Sequence, residues 1–225
     1  MLIDVVKLSE KLCSFPIKSE LKYATTKNFV GRVINGYEPD LTSLALLTPK
    51  AARKLCAVQN ALIQQYHFGL LIYDAYRPKR AVQDFLHWTK QDVVNQYELE
   101  RKEKHYPRIH KNQLFKLGYL SEDSNHCYGN TVDLVLIDIA TNKALDMGAR
   151  FDYMDTISRT TATSHEIGEH AFQHRKILSD VMNKFDFQPY IEEFWHFCHG
   201  GMKGREVSEP MDIEITSLMK GIVLE

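Results

Sequence analysis

The chain has 225 residues, of which 44% are hydrophobic and 25% charged, and its formal net charge is −1. These values are typical of a folded globular protein with one large domain or two small ones. They argue against a basic surface that recruits nucleic acid, and no apolar run approaches the roughly 20 residues that cross a bilayer. The N-terminus does not resemble a signal peptide, so we expect a cytoplasmic protein that binds neither nucleic acid nor membrane.

Helical and strand-like patterns follow one another irregularly along the chain. We first expect short strands around residues 22–24 and 30–33, a helix from Thr48 to His67, a buried strand within residues 69–76 and a helix from about Lys79 to Tyr97. The second half is expected to contain an exposed charged segment over residues 98–111, a strand from Thr131 to Ile139, a helix over residues 166–185 and a final strand from about Glu192 to Cys198. Without a regular strand–helix–strand rhythm, this order favours an α+β fold. No linker is evident, so we expect one domain over residues 1–225.

One histidine pair resembles a zinc-protease motif but has the wrong spacing. In the segment HEIGEH, His165 and His170 are five residues apart. The histidines of an HExxH motif are four apart, which puts both on one face of a helix. Five residues turn a helix by about 140° from the starting direction, so we interpret this segment as the polar start of a helix.

The segment SNHCYGNTVDLVLID combines a histidine and an aspartate with a strongly apolar strand. Asp133 lies among apolar neighbours, where a carboxylate is costly unless it is paired or bound to a metal. His126 precedes Gly129, in a segment that can turn back toward the start of the strand. Imidazole and carboxylate are ordinary zinc ligands. The pair leaves two interpretations open: two arms of a metal site, or a capped turn with a half-buried acid.

The segment EEFWHFCHG contains a second candidate ligand, His196, between aromatic residues that shield it from water. An apolar surround suits a catalytic zinc. Glu193 lies three residues earlier, and a regular strand would point it to the face opposite His196 because the side-chain period is two. Both side chains therefore reach one metal only if a turn, a bulge or a strand end intervenes. The alternative is a core histidine beside a surface glutamate.

Arg77 lies at the end of a predicted buried strand, in the segment YDAYRPKRAV. Strand ends commonly face clefts, and an arginine there offers a permanently charged fork of donors for a carboxylate or an oxyanion. The competing interpretation is an arginine that closes the strand-to-helix turn onto a surface acid.

The four cysteines, at 13, 56, 127 and 198, form no CxxC pair, which argues against a four-cysteine zinc site. Two rival sites nevertheless stay open. A closed structural zinc site of His126, His196 and Cys198 would leave Asp133 without a role. A cysteine hydrolase would use Cys127 or Cys198 with His199, and metal chelation would not inhibit it.

The segments YDAYRP, SNHCYGNTVD, MGARFD and EEFWH, in this order, resemble the zinc D-alanyl-D-alanine dipeptidase family, known from vancomycin resistance. Zinc D,D-carboxypeptidases and hedgehog-type domains share its zinc-binding pattern. The resemblance covers most of the chain and implies a single α+β domain with a central antiparallel sheet flanked by helices.

The resemblance also implies a role for each matching residue. His126, Asp133 and His196 match the three ligands of one Zn²⁺ ion, and Glu193 matches the catalytic base. Arg77 matches the arginine that stabilises the oxyanion.

Three further residues match positions that bind the substrate. Asp152 matches the acid that holds the substrate's ammonium group, Ser124 matches a residue that contacts its C-terminal half, and Tyr23 matches a tyrosine at the cleft. The implied reaction is hydrolysis of the small dipeptide D-alanyl-D-alanine to two D-alanine, which links the protein to peptidoglycan metabolism. The alternatives are a D,D-carboxypeptidase that trims stem peptides and a non-catalytic zinc-stabilised binding domain. The sequence leaves the oligomeric state open, and a homo-oligomer is compatible with it.

Overall fold

A computed structural model of the protein describes residues 1–39, 43–93 and 95–214. The α-helices of this part are α1 Val5–Leu12, α2 Pro49–Tyr66, α3 Lys79–Thr89, α4 Gln96–His105, α5 Ser164–Ile167 and α6 Glu169–Lys184. The strands are β1 Ile3–Asp4, β2 Lys18–Ser19, β3 Leu46–Leu47, β4 Phe68–Asp74, β5 Thr131–Asp138, β6 Lys143–Ala144, β7 Phe187–Tyr190 and β8 Glu193–His199. None of the described helices combines the length and the apolar character needed to cross a membrane.

The main sheet has six strands and is largely antiparallel. Its order is β2-β4-β5-β8-β7, with β6 paired to β5, and the short β2 runs parallel to β4. The pairs β4–β5, β5–β8 and β7–β8 are antiparallel. Strand β5 is buried along nearly its whole length, which explains its continuous apolar sequence. The predicted α+β fold with a central antiparallel sheet is therefore confirmed.

Helix α2 covers the sheet and agrees with its sequence pattern. Pro49 occupies the first turn, where its missing N–H costs nothing, and Ala51, Leu55, Val58 and Leu62 are buried at helical spacing. The helix packs against α1, β4 and α6. One continuous apolar core, running from Leu2 to Phe197, joins these helices to the sheet.

The prediction of short strands around residues 22–24 and 30–33 is wrong. Lys22–Ala24 is a 3-10 turn, and no strand forms at 30–33. The side chain of Asn28 organises this region: its oxygen accepts hydrogen bonds from the N–H groups of Val30 and Gly31, and its amide donates to three backbone carbonyls. A side chain that satisfies so many backbone groups competes with strand pairing.

The segment 98–111 is also different from the expected exposed loop. The helix predicted from Lys79 ends at Thr89, and α4 occupies the first part of the charged segment. Glu98 and Lys111 are buried and form an ion pair, with the Lys111 ammonium 5.1 Å from the centre of the Trp88 ring. A run of charged residues indicates solvent exposure only when these residues lack partners elsewhere in the chain. Here Glu98 and Lys111 pair with each other.

The C-terminal half differs from expectation in two details. Gly168, with a φ of 86°, separates α5 from α6, so the predicted helix over 166–185 is two helices. The exposed His165 and His170 lie on either side of this break and form no metal cluster within the described ranges. Strands β6 and β7 were not predicted.

Candidate active site

The register of the central strands brings three polar residues to one face of the sheet. Asp133 on β5 lies directly opposite His196 on β8, and on its other side Asp133 lies opposite Asp74 on β4. Directly opposed residues of antiparallel strands point to the same side. The pairing with Asp74 depends on a register shift between Ile72 and Asp74, which leaves Tyr73 as an extra residue in β4.

Glu193 reaches the same face because β8 begins irregularly. The register between β7 and β8 shifts between Pro189 and Tyr190, so that Tyr190 opposes Glu193. The Glu193 Oε2 atom lies 3.6 Å from His196 Nδ1. In a regular strand Glu193 and His196 would point to opposite faces. The irregular start of β8 brings them to the same one.

His126 enters the site from a 3-10 turn, Asn125–Tyr128, that precedes β5. Gly129 closes this turn with a φ of 72°, and a Cβ there would lie 2.5 Å from Leu2 Cδ2, so a larger residue would be strained and would displace the Leu2 side chain. His126 Nδ1 lies 2.7 Å from the Ala75 carbonyl oxygen. That nitrogen carries a proton and donates it, because the carbonyl only accepts, so Nε2 is the ring nitrogen that can face a metal.

The three predicted ligands have the spacing of a tetrahedral metal site. Asp133 Oδ1 lies 3.1 Å from His196 Nδ1 and 3.3 Å from His126 Nε2, and the two nitrogens are 3.3 Å apart. Ligands about 2.0–2.1 Å from a tetrahedral zinc lie roughly 3.3–3.4 Å from one another. Asp133 Oδ1 is buried and makes no contact of hydrogen-bond geometry. A cation between the three atoms would satisfy it, and this is the only such group in the described part of the chain.

The electrostatics of Asp133 agree with a ligand role. Burial raises the pKa of its carboxyl, but the imidazoles of His126 and His196 outweigh burial and hold the pKa below its usual value. Burial lowers the pKa of His196. The site is therefore set to present a carboxylate and a neutral imidazole, which are the forms that bind a metal.

Arg77 is buried and held by a carboxylate that the sequence analysis missed. Its Nε and Nη2 atoms lie 3.0 and 2.8 Å from Asp74 Oδ2, and Nη2 also lies 3.6 Å from Asp133 Oδ2. Tyr37 Oη donates a 2.6 Å hydrogen bond to the other Asp74 oxygen. Burial raises the pKa of Asp74, and Arg77 opposes this. The sequence does contain a signal for this contact. In YDAYR, Asp74 lies at the end of a buried strand, three residues before Arg77.

Asp152 lines the same cavity, and its carboxylate contacts Tyr23. It is 5% exposed, its φ is 57°, and Tyr23 Oη lies 3.1 Å from each of its carboxylate oxygens. Burial, and then the charge of Asp133, raise the pKa of Asp152 well above its usual value. His105, also missed by sequence analysis, contacts the Asp152 backbone oxygen through Nδ1 at 3.1 Å. Such a carboxylate is suited to receive a cationic group.

All eight residues proposed from the sequence line one small cavity of about 160 Å³. Ser124 forms part of the cavity wall and lies just before the turn that carries His126. Sites for drug-sized ligands usually measure about 300–1,000 Å³, so this cavity suits a smaller molecule.

The cysteines do not form the rival sites. Cys127 is buried beside Val82 and Tyr128, and burial raises its pKa to about 11. Cys198 lies beside the Asn130 side chain, and burial raises its pKa as well. Neither cysteine lines the cavity, and a raised pKa is opposite to what a nucleophilic thiol needs.

The sheet and the segments that adjoin it place two imidazoles, a carboxylate, a half-buried glutamate and an arginine in one cavity, which is the arrangement of a metallohydrolase. The sequence model of the M15 peptidases described as D-ala-D-ala dipeptidase matches residues 10–211. The chain belongs to this family.

Three relatives support the assignment, each named D-alanyl-D-alanine dipeptidase. The Enterococcus faecalis protein is 36% identical over 181 residues, which cover 80% of this chain and 85% of the relative. The Enterococcus faecium protein is 35% identical with the same coverage. The Escherichia coli protein is 31% identical over 195 residues, which cover 86% of this chain and 85% of the relative.

Proposed function

We propose that the protein is a zinc dipeptidase that hydrolyses D-alanyl-D-alanine to two molecules of D-alanine. The observation that carries the proposal is the pairing, in one 160 Å³ cavity, of a metal-ligand triad with a buried carboxylate, Asp152, whose side chain contacts Tyr23. A free dipeptide has a scissile carbonyl and an ammonium group only a few ångströms apart. The names of the relatives supply the substrate.

Zinc is proposed as the metal because of the donor set and its spacing. Two imidazoles and one carboxylate at tetrahedral separations leave a fourth position open, as in catalytic zinc sites. When bound, zinc would lower the pKa of a coordinated water to about 7 and polarise the peptide carbonyl. His126, Asp133 and His196 would hold it, and the Ala75 carbonyl would fix the orientation of His126.

Glu193 is proposed as the general base. Burial, and then the charges of Asp133 and Asp152, raise the pKa of Glu193 well above its usual value. A carboxylate with a raised pKa takes a proton from the attacking water more readily and then delivers it to the leaving amine. Its position beside His196 puts it within reach of the metal site.

Arg77 is proposed to stabilise the oxyanion that forms on the attacked carbonyl. Burial lowers the pKa of its guanidinium, but Asp74 and the other acidic groups around it together outweigh burial. The pKa is raised well above the usual value, so the charge is permanent. Asp74 and the ring of Tyr23, 5.1 Å away, hold the guanidinium in place. A donor fixed before the reaction needs no reorganisation when the charge develops.

The two ends of the dipeptide are proposed to select the substrate. Asp152, with Tyr23, would bind the ammonium group, and Ser124 would contact the C-terminal half. An N-acylated peptide lacks the ammonium and would leave Asp152 buried without a cation, which should disfavour a D,D-carboxypeptidase activity. The cytoplasmic location, the homo-oligomer and the single domain over residues 1–225 stay predictions.

A comparison of substrates tests the proposal. Purified protein should contain about one zinc per chain, as a three-ligand site requires, and release alanine from D-alanyl-D-alanine but not from the L,L dipeptide or the N-acetylated D,D dipeptide. A chelator should abolish turnover, and added zinc should restore it. Preferred cleavage of the N-acetylated substrate would instead support the carboxypeptidase.

The variant Glu193→Gln tests the proposed base. It should keep the zinc and lose at least about 10²-fold in kcat, since general-base catalysis contributes that much or more. Glu169→Gln is the matched control, because Glu169 is exposed at the start of α6 and does not line the cavity. Full activity in Glu193→Gln would remove this residue from the mechanism.

A further inference from the structure

Asn125 lines the cavity between two residues of the proposed site, Ser124 and His126. Its Oδ1 atom accepts hydrogen bonds from Arg205 Nε at 3.0 Å and from Arg205 Nη2 at 2.7 Å. A guanidinium group only donates hydrogen bonds, so the oxygen of the amide must be the atom that faces Arg205. The orientation of the Asn125 amide is therefore fixed.

Arg205 is itself held by two further groups beside the cavity. Its Nη2 atom lies 3.1 Å from Asp123 Oδ2, and its guanidinium carbon lies 3.7 Å from the centre of the Tyr128 ring. The other Asp123 oxygen accepts a 2.8 Å hydrogen bond from Tyr128 Oη. Both Asp123 oxygens thus have partners, and the charge of Arg205 balances that of the carboxylate next to Asn125.

The nitrogen of the Asn125 amide remains available. Within the described part of the chain Nδ2 donates to no group, and it is not among the buried polar atoms. Of the described residues that line the cavity, Asn125 is the one with an amide side chain. A hydroxyl such as that of Ser124 can donate or accept, whereas an amide nitrogen only donates. The Asn125 nitrogen therefore suits an acceptor and does not suit an ammonium group.

The C-terminal carboxylate of a dipeptide is such an acceptor. Removing a carboxylate from water is unfavourable unless donors replace its lost hydrogen bonds. The arginine that lines the cavity, Arg77, is bound to Asp74 and is proposed to face the oxyanion. Ser124 offers a single O–H donor, and the next residue, Asn125, offers a second donor. The charge of Arg205 behind the amide oxygen polarises the amide and strengthens that donor.

We infer that Asn125 is a specificity-determining residue, whose amide nitrogen donates a hydrogen bond to the C-terminal carboxylate of the dipeptide. This inference rests on the proposed function. It adds a contact at the carboxylate end of the substrate to the recognition of the ammonium end by Asp152. Arg205 is a positioning residue, since it binds the amide oxygen and acts on the substrate only through Asn125.

The variant Asn125→Ala tests the inference. We measure kcat and KM for D-alanyl-D-alanine, and the inhibition constant of D-alanyl-D-alaninamide in competition with it. For the dipeptide kcat/KM should fall about 10–100-fold, the factor that corresponds to a hydrogen bond to a charged group. The loss should appear chiefly in KM, because the carboxylate end does not change during the reaction. The neutral amide should bind only about fivefold more weakly, and zinc content should not change.

Asn112→Ala is the matched control, since Asn112 is exposed and does not line the cavity. An equal loss in this control, or equal losses for the dipeptide and its amide in Asn125→Ala, would indicate general damage and overturn the inference alone. An unchanged kcat/KM in Asn125→Ala, while the wild type cleaves the dipeptide, would do the same. A wild type that fails to cleave the dipeptide overturns the proposed function and the inference together.

The variant Arg205→Lys tests whether the arginine acts through the amide. Lysine keeps the positive charge beside Asp123 but lacks the planar pair of donors that fixes the Asn125 oxygen. Arg205→Lys should raise KM for the dipeptide in the wild type, by no more than Asn125→Ala does. In the Asn125→Ala background it should add little. Additive effects of the two substitutions would show that Arg205 acts independently of Asn125, against the inference.

Discussion

The ion pair between Asp74 and Arg77 provides a direct test of what fixes the arginine in the cavity. Asp74 is fully buried, and its two oxygens accept hydrogen bonds from Tyr37 and Arg77. The variant Asp74→Asn keeps the volume but has a single side-chain acceptor. Either Tyr37 or Arg77 then loses its partner, and the buried guanidinium loses its nearest countercharge. The next carboxylate, Asp133, is 3.6 Å away.

The size of the effect follows from burial. Breaking a buried ion pair typically costs about 3–5 kcal/mol, and the amide retains part of the hydrogen bonding, so we expect a loss of about 3 kcal/mol in the free energy of unfolding. For a chain of this length each kcal/mol lowers Tm by roughly 2–4 °C, which gives a shift of about 6–12 °C. Because Arg77 is no longer fixed, kcat should also fall, by up to about 10²–10³-fold, the usual effect of losing an oxyanion donor.

The assay combines thermal unfolding of the zinc-loaded protein with dipeptide hydrolysis. Asp180→Asn is the control: Asp180 pairs with Lys176 at 2.6 Å, but both side chains are more than half exposed. The same chemical change there should leave Tm almost unchanged, because an exposed ion pair contributes little to stability. A Tm of Asp74→Asn within about 1 °C of the control, together with unchanged kcat, would show that Asp74 does not hold Arg77.

Two further predictions concern groups near the cavity. Burial lowers the pKa of His105 to about 4. Between pH 4 and 6.5 the folded state therefore binds fewer protons than the unfolded state. The stability that the neutral His105 contributes is fully present above pH 6.5 and is lost as the pH falls toward 4, because protonation then favours the unfolded state. Wild type should lose about 3 kcal/mol more than His105→Gln in urea unfolding between pH 7 and 4, and equal losses would refute the assignment. Cys127, with a pKa of about 11, should resist iodoacetamide at pH 8 in the folded protein. Mass spectrometry that found Cys127 alkylated in step with loss of activity would return the thiol hydrolase to consideration.

Local patterns were sufficient for the longest helix and strand and for the first candidate metal ligands. Helix α2 follows from an apolar stripe behind a proline, and β5 follows from a continuous apolar run. Asp133 was conspicuous because a carboxylate inside such a run needs a partner. The order of short motifs then brought His126 and His196 into the same hypothesis. Each of these signals lies within a few consecutive residues.

The contacts that hold the site depend on pairings between distant parts of the chain. Asp74 meets Asp133 because β4 contains an extra residue, and a one-residue change of register would turn its side chain to the other face. Glu98 and Lys111 look like surface charges until folding pairs them. Asn125 and Arg205 are 80 residues apart. Strand register and loop docking are set by the packing of the whole core, so only the tertiary structure decides which of these side chains meet.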